Sequence, residues 1–191
     1  MANHRIYRYT SLARPPNPAG RAGKVVLYLL PAAALLGAVM GWLRTASLGG
    51  VAEYAAVFTL VLYGAWALAR ELDPDDSPVS FISMALGVLA ALVVAEPGLL
   101  VLYVTIALVR MVNRSSGLEP RHSDALLLML LSIAVIYVAE LPLFGAVAAL
   151  AFALDGSLRD PRPSQWVYGL VCLGGSLVYM VDHGIGLGAL A

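Results

Sequence analysis

Seven long apolar runs, separated by short segments that contain Gly, Pro or charged residues, constrain the fold of this chain more than any other feature. A helix rises about 1.5 Å per residue, so about 20 apolar residues cross a hydrocarbon core roughly 30 Å thick. We therefore predict a membrane-spanning helix in each run, with several runs near the short end of the usual range. The predicted spans are 24–43, 54–69, 79–95, 97–112, 124–139, 141–154 and 165–181.

The composition agrees with a membrane environment. Hydrophobic residues make up 60% of the 191 residues and charged residues 13%, and the mean hydropathy is +0.82, which is too apolar for a water-soluble domain. The runs are continuously apolar and do not alternate, which favours helices over the strands of a barrel. The first run is long enough to be a retained anchor. We expect an all-α, polytopic membrane helix bundle with about seven transmembrane helices.

The tripeptide Val-Ala-Glu occurs three times, at 51–53, 94–96 and 138–140. This regular spacing predicts three repeated helical hairpins, at about 24–70, 78–112 and 124–155, followed by one last helix at about 165–181. The predicted organisation is a basic cytoplasmic tail (1–23), a transmembrane domain (24–182) and a short external tail (183–191). Ser77, Ser123 and Ser164 stand just before a predicted span and are expected to be helix N-caps.

The basic residues are distributed very unevenly over the two predicted sides of the membrane. With a cytoplasmic N-terminus, eleven of the twelve Lys and Arg residues lie in the N-terminal tail and the three inner loops, and only Arg44 lies outside. This asymmetry predicts a multi-pass protein of the plasma (inner) membrane with an external C-terminus. The inner face is also expected to attract anionic lipid headgroups.

The three repeated glutamates, Glu53, Glu96 and Glu140, are expected where each returning helix begins. A carboxylate there faces the positive end of the helix dipole, so we favour a structural role. The alternative is that the three glutamates converge on a pseudo-threefold axis as an outward-facing cation site. Duplication copies a helix cap as faithfully as a ligand, so the repeat itself does not separate the two.

The first inner loop is unusually acidic, since Glu71, Asp73, Asp75 and Asp76 place four carboxylates within six residues. Hard cations such as Mg²⁺ bind oxygen ligands, commonly one or two carboxylates together with phosphate oxygens of a substrate. This loop is therefore our candidate Mg²⁺ site. The alternative is a solvated acidic turn.

The second inner loop supplies candidate phosphate ligands: Arg110, Asn113, Arg114 and Arg121. Guanidinium groups bind phosphate or carboxylate through paired hydrogen bonds, and Arg110 and Arg114 share one face of a continuing helix. The pair is expected either to grip a lipid phosphate or to form ion pairs with Asp73 and Asp75. Long basic side chains at helix ends also extend routinely to the membrane surface, and this is the simpler alternative.

Small residues recur four apart in three of the spans. Such stripes allow close helix contacts, which inside a bilayer drive association within one chain or between subunits of a homo- or hetero-oligomer. The stripes are Ala33, Gly37 and Gly41; Ser83, Gly87 and Ala91; and Gly145, Ala149 and Ala153.

Several chemistries are not expected. The three histidines lie outside the predicted spans and Cys172 is the only cysteine, so neither haem ligation nor a zinc cluster is predicted. The sequence has no nucleotide-binding motif and no pattern typical of nucleic-acid binding. Our leading hypothesis is a membrane protein that binds or processes a phosphorylated lipid or isoprenoid with a divalent metal. The alternatives are a small-solute transporter or channel component and a non-catalytic accessory subunit; whether the protein is an enzyme stays open.

Overall fold

A computed structural model of the chain is all-helical over the residues that it describes, which are residue 12 and residues 21–73, 77–94, 98–113, 121–158 and 162–183. Helices account for 88% of this part of the chain, and no strand occurs in it. The all-α prediction is confirmed. The seven helices are α1 (Arg21–Thr45), α2 (Leu48–Leu72), α3 (Ser77–Val93), α4 (Leu99–Val112), α5 (His122–Val138), α6 (Phe144–Gly156) and α7 (Pro163–Asp182).

Three of these helices are long and apolar enough to cross a membrane, namely Gly23–Thr45 within α1, all of α2, and α7. The helices α3 to α6 are apolar but shorter. With its 13 residues, α6 extends only about 20 Å at 1.5 Å per residue, less than the hydrocarbon core. Three helices thus support the prediction of a membrane protein. For the other four helices, the predicted crossing of the membrane is not shown.

Some helices begin at a different residue from the one predicted, because an N-cap residue sets the start of the helix. Ser47 caps α2, because its Oγ accepts a hydrogen bond of 3.1 Å from the backbone N–H of Gly50, so α2 begins six residues before the predicted start. The N-cap prediction is wrong for Ser123 and Ser164. Both lie in a first helical turn, and the N-cap residues are Arg121 and Arg162, neither of which makes a side-chain cap bond.

The chain forms two compact units. The first unit is Arg14–Leu102, and the second unit comprises Met1–Ala13 and Tyr103–Ala191. The division falls inside α4, and therefore inside the second predicted hairpin.

In the first unit α2 packs against both α1 and α3. Gly37 and Gly41 of α1 allow α1 and α2 to approach closely. A Cβ at Gly37 would lie only 2.8 Å from the carbonyl carbon of Tyr54, so a side chain there would clash with the backbone of α2. A Cβ at Gly41 would lie equally close to the carbonyl carbon of Gly50. The small-residue stripe predicted in α1 is confirmed as a helix contact.

In the second unit α6 packs along α7, and α5 contacts both of them. The helices α6 and α7 are antiparallel, since Gly145 at the start of α6 lies against the backbone of Cys172, and Gly156 at its end lies against Gln165. Between these points Gly169 of α7 lies against the backbone of Ala149. Gly145 and Ala149 therefore belong to a helix contact, as predicted.

The repeated Val-Ala-Glu copies do not occupy equivalent positions in the described helices. Glu53 lies in the second turn of α2 and is exposed. Glu140 lies between α5 and α6, four residues before α6 begins, and has a positive φ of 54°. Glu96 lies outside the described residues. The expectation that each glutamate begins a returning helix is wrong for both described copies, and the threefold arrangement of hairpins stays a prediction.

Candidate functional site

The end of α6 meets the start of α7, because Gly156 lies against Gln165 and Trp166. We call these two helix ends, together with the start of α5, the polar end of the second unit. The helices α5 and α6 are joined by a short turn, and α7 runs antiparallel to α6. At the opposite end the rings of Tyr137 in α5 and Tyr179 in α7 make an edge contact with centroids 5.3 Å apart. One turn earlier in both helices, Ile133 of α5 lies against Gly175 of α7, so α5 and α7 run parallel over this half of their length.

Each of these three helices carries a buried polar side chain at the polar end. Asp124 is 6% exposed, and Asp155 and Gln165 are 0% exposed. All three lie on the buried face of their own helix. Asp155, for example, follows the buried Phe152 by three residues, which is about one helical turn. An enclosed carboxylate is costly unless it is paired, and neither Asp124 nor Asp155 is without a partner.

Gln165 differs from the two aspartates in its hydrogen bonding. Neither its Nε2 nor its Oε1 has a hydrogen-bond partner within the described residues. A Cβ at Gly156 would lie 3.3 Å from the Cβ of Gln165, so α6 and α7 are closely packed here. A buried amide of this kind costs roughly 1–3 kcal/mol for each unpaired group. Because the side chain is fully enclosed, it belongs to the contact between α6 and α7 and is not open to a ligand.

Arginines stand directly before α5 and α7 and in the last turn of α4. Arg121 and Arg162 immediately precede α5 and α7; Arg121 is exposed and Arg162 is half-buried. Arg110 is half-buried in the last turn of α4, the helix that precedes α5, and its Nη1 donates a hydrogen bond of 3.1 Å to the carbonyl oxygen of Leu12. Asn113 follows α4 and is half-buried. Each of these four residues has an interaction partner in the structure.

The two candidate ligand sets belong to different units. Arg110, Asn113 and Arg121 lie in the second unit, and Arg114 lies outside the described residues. The predicted acidic loop belongs to the first unit. The predicted approach of the two loops to one another stays a prediction.

Within the acidic loop the described carboxylates have different surroundings. Glu71, in the last turn of α2, is only 7% exposed, whereas Asp73, the C-cap of α2, is exposed. Asp75 and Asp76 lie outside the described residues. Among the residues that are described, no group of three or more His, Cys, Asp or Glu side chains is arranged to hold a metal ion. The Mg²⁺ site therefore stays a prediction.

Arg44, the one basic residue outside the predicted inner face, joins two helix ends of the first unit. Its Nη2 donates a hydrogen bond of 2.6 Å to the carbonyl oxygen of Leu92, near the end of α3. Its guanidinium carbon lies 5.5 Å from the ring centroid of Tyr54 in α2. A cation at a helix C-terminus interacts favourably with the helix dipole and binds carbonyl groups that have no partner in the helix.

The first unit also contains an apolar groove with a cavity volume of about 320 Å³. Its walls come from α2, from the second half of α3 and from the start of α4, all within the first unit. We call it the α2–α3 groove. Representative lining residues are Val61, Ala65, Gly87, Ala90, Val94 and Leu102.

Sequence reasoning had missed Asp124, Asp155, Gln165 and Arg162 as parts of a site and had given Arg44 only a topological role. A local signal existed for two of them. Asp124 precedes the buried Leu128 by four residues, and Asp155 follows the buried Phe152 by three, so both share a helix face with core residues. The position of Arg44 has no such signal, because its partner Leu92 is 48 residues away.

None of the protein-family models, curated proteins and solved structures compared with the chain matches it.

Proposed function

We propose that this protein is a multi-pass protein of the plasma (inner) membrane that binds the phosphate of an anionic lipid at the polar end of the second unit. In this proposal the N-terminus is cytoplasmic and the C-terminus external, as the distribution of basic residues favours. The polar end then lies at the inner headgroup layer, where anionic lipids attract basic side chains. The proposal covers recognition of the headgroup and leaves open whether a reaction follows.

One observation carries this proposal: Arg121 and Arg162 precede two parallel neighbouring helices that lack a side-chain N-cap. Free N–H groups in the first turn of a helix and guanidinium groups both bind phosphate. The carboxylates of Asp124 and Asp155 are buried, while Arg121 is exposed. The charge that a headgroup meets first at this end is therefore positive.

The remaining predicted ligands extend the same proposal. Arg110, Asn113 and Arg114 supply further donors for phosphate oxygens. Glu71, Asp73, Asp75 and Asp76 are the proposed carboxylates for Mg²⁺, which when bound would neutralise phosphate charge. Both assignments rest on residue chemistry and on the crowding of charges in the loops.

The experiment measures lipid retention by native mass spectrometry of the purified protein after exchange into phosphatidylcholine mixed with phosphatidic acid or phosphatidylglycerol. Arg121→Gln and Arg162→Gln each remove one charge from the polar end, and Lys24→Gln is the matched control because it removes one exposed basic residue at the start of α1. A basic residue near the surface contributes roughly 1 kcal/mol to binding of anionic lipid, or about fivefold in affinity. We expect that loss for the two arginine variants and a smaller one for Lys24→Gln.

Equal losses in all three variants would mean a general electrostatic effect without a site at the polar end. Retention of anionic and zwitterionic lipid to the same extent would favour the accessory-subunit alternative. The same measurement in the presence of a chelator tests the metal. If chelation lowers lipid retention and added Mg²⁺ restores it, the result supports the acidic loop as the Mg²⁺ ligand. If lipid retention does not change, the metal is removed from the proposal.

A further inference from the structure

The α2–α3 groove and Arg44 lie at the same end of α3. The groove runs along α3 from Gly87 to Val94, and Arg44 binds the carbonyl oxygen of Leu92 within that stretch. All of these residues belong to the first unit. The side chains that line the groove are all apolar, and a cation is bound to a backbone carbonyl of α3, one of the helices that form the groove.

The α2–α3 groove is small and runs along α3. Seven residues of helix, from 87 to 94, rise roughly 10 Å, and the cavity volume is about 320 Å³. That volume equals the liquid volume of about ten water molecules, a size that suits a segment of a hydrocarbon chain.

Small side chains create this space. Gly87 has no side chain, and a Cβ there would lie 3.0 Å from the Cβ of Ala65 and 3.3 Å from the Cγ1 of Val61. The floor of the groove is therefore the contact between α2 and α3, and Ala90 leaves its wall open because a methyl group occupies little of the volume. Apolar side chains suit polymethylene. Within a bilayer the acyl chain leaves other lipid tails and not water, so close van der Waals packing is what favours its binding.

Arg44 is held in place but retains donors. Its guanidinium donates one hydrogen bond to the carbonyl oxygen of Leu92 and lies over the ring of Tyr54. An arginine has five N–H donors in all. The side chain is exposed, and within the described residues it makes no further hydrogen bond or ion pair. A guanidinium fixed in this way is suited to bind phosphate through two parallel hydrogen bonds.

We propose that the α2–α3 groove binds one acyl chain of an anionic phospholipid and that Arg44 binds the phosphate of the same lipid. This site is separate from the polar end of the second unit and does not depend on the function proposed there. The apolar chain fills the groove beside α3, and the phosphate lies at the end where α1 ends and α2 begins.

The test uses the full-length protein in phosphatidylcholine vesicles that contain phosphatidylglycerol with a diazirine group in its acyl chain. After illumination, peptide mass spectrometry locates the labelled residues. We expect labelling concentrated on the groove residues of α2 and α3, Ala65, Ala90 and Val94 among them. Ala90→Phe places a ring in the groove and is expected to lower labelling there about tenfold, while the matched control Leu89→Phe adds an aromatic ring at the neighbouring exposed position and leaves it unchanged.

A second pair of measurements tests the headgroup. Arg44→Gln keeps a donor for Leu92 but removes the charge, so phosphatidylglycerol labelling is expected to fall about tenfold, as the loss of a hydrogen bond to a charged group implies. Labelling by a diacylglycerol probe with the same chain, which has no phosphate, should change little, and Arg44→Lys should restore part of the preference. The proposal is overturned if the wild-type groove is not labelled, if Ala90→Phe and Leu89→Phe behave alike, or if Arg44→Gln lowers both probes equally.

Discussion

The close approach of α1 and α2 at Gly37 leads to a quantitative prediction. In Gly37→Ala the new Cβ would lie 2.8 Å from the carbonyl carbon of Tyr54 and 2.9 Å from the Cα of Ala55, whereas carbon atoms prefer about 3.5–4.0 Å. Both neighbours are backbone atoms of α2, so no side-chain rotation relieves the clash. The helices α1 and α2 must separate by roughly 1 Å, which forfeits a quarter to a half of each affected contact.

Two opposing terms set the size of the effect. Replacing Gly by Ala inside a helix favours folding by about 1 kcal/mol, and overpacking a close contact costs about 1–3 kcal/mol. Gly174→Ala in α7 isolates the first term, because a Cβ at Gly174 has no neighbour within 4 Å apart from its own helix. We expect Gly174→Ala to raise the free energy of unfolding by up to about 1 kcal/mol, and Gly37→Ala to lie about 1–3 kcal/mol below it.

Reversible unfolding in mixed micelles, followed by circular dichroism, measures both variants under the same conditions. Gly41→Ala should behave like Gly37→Ala, and the double variant should cost less than the two single costs together, because one displacement of α1 relieves both clashes. If Gly37→Ala proved as stable as Gly174→Ala, the close contact between α1 and α2 would be refuted.

Three further predictions concern other parts of the chain. Ser176→Ala removes the 2.5 Å hydrogen bond from Ser176 Oγ to the carbonyl oxygen of Pro142 and should lower the free energy of unfolding by about 1–2 kcal/mol, measured by the same unfolding assay; an unchanged value would contradict that bond. Gln165→Leu removes an amide without a partner at nearly constant volume and should stabilise the protein by about 1 kcal/mol or more, whereas a loss of stability in that assay would show that the amide has a partner in the membrane. A cysteine introduced at the exposed Ser47 should react with an impermeant reagent added outside intact cells, and one at the exposed Ser123 should be protected; the reverse pattern would overturn the proposed orientation.

The sequence by itself determined the helices, because hydropathy and helix length are local properties. The all-α class and the close contacts at Gly37, Gly41 and Gly145 followed from apolar runs and from small residues spaced four apart. Errors arose where a cap moved a helix end. Tyr54 is in the second turn of α2 and not at its start, because Ser47 caps the helix earlier than hydropathy indicates.

Only the tertiary structure decided which charges are buried and which helices share a unit. Asp73 and Asp155 both stand at the ends of apolar runs, yet Asp73 is exposed and Asp155 is fully enclosed. Asp155 lies in the last turn of α6 among its buried residues, whereas Asp73 is the extended C-cap residue beyond α2. Where a helix ends and which elements pack against that end decide the burial, and composition does not express either. For the same reason the bond between Arg44 and Leu92, distant in sequence, follows from packing alone.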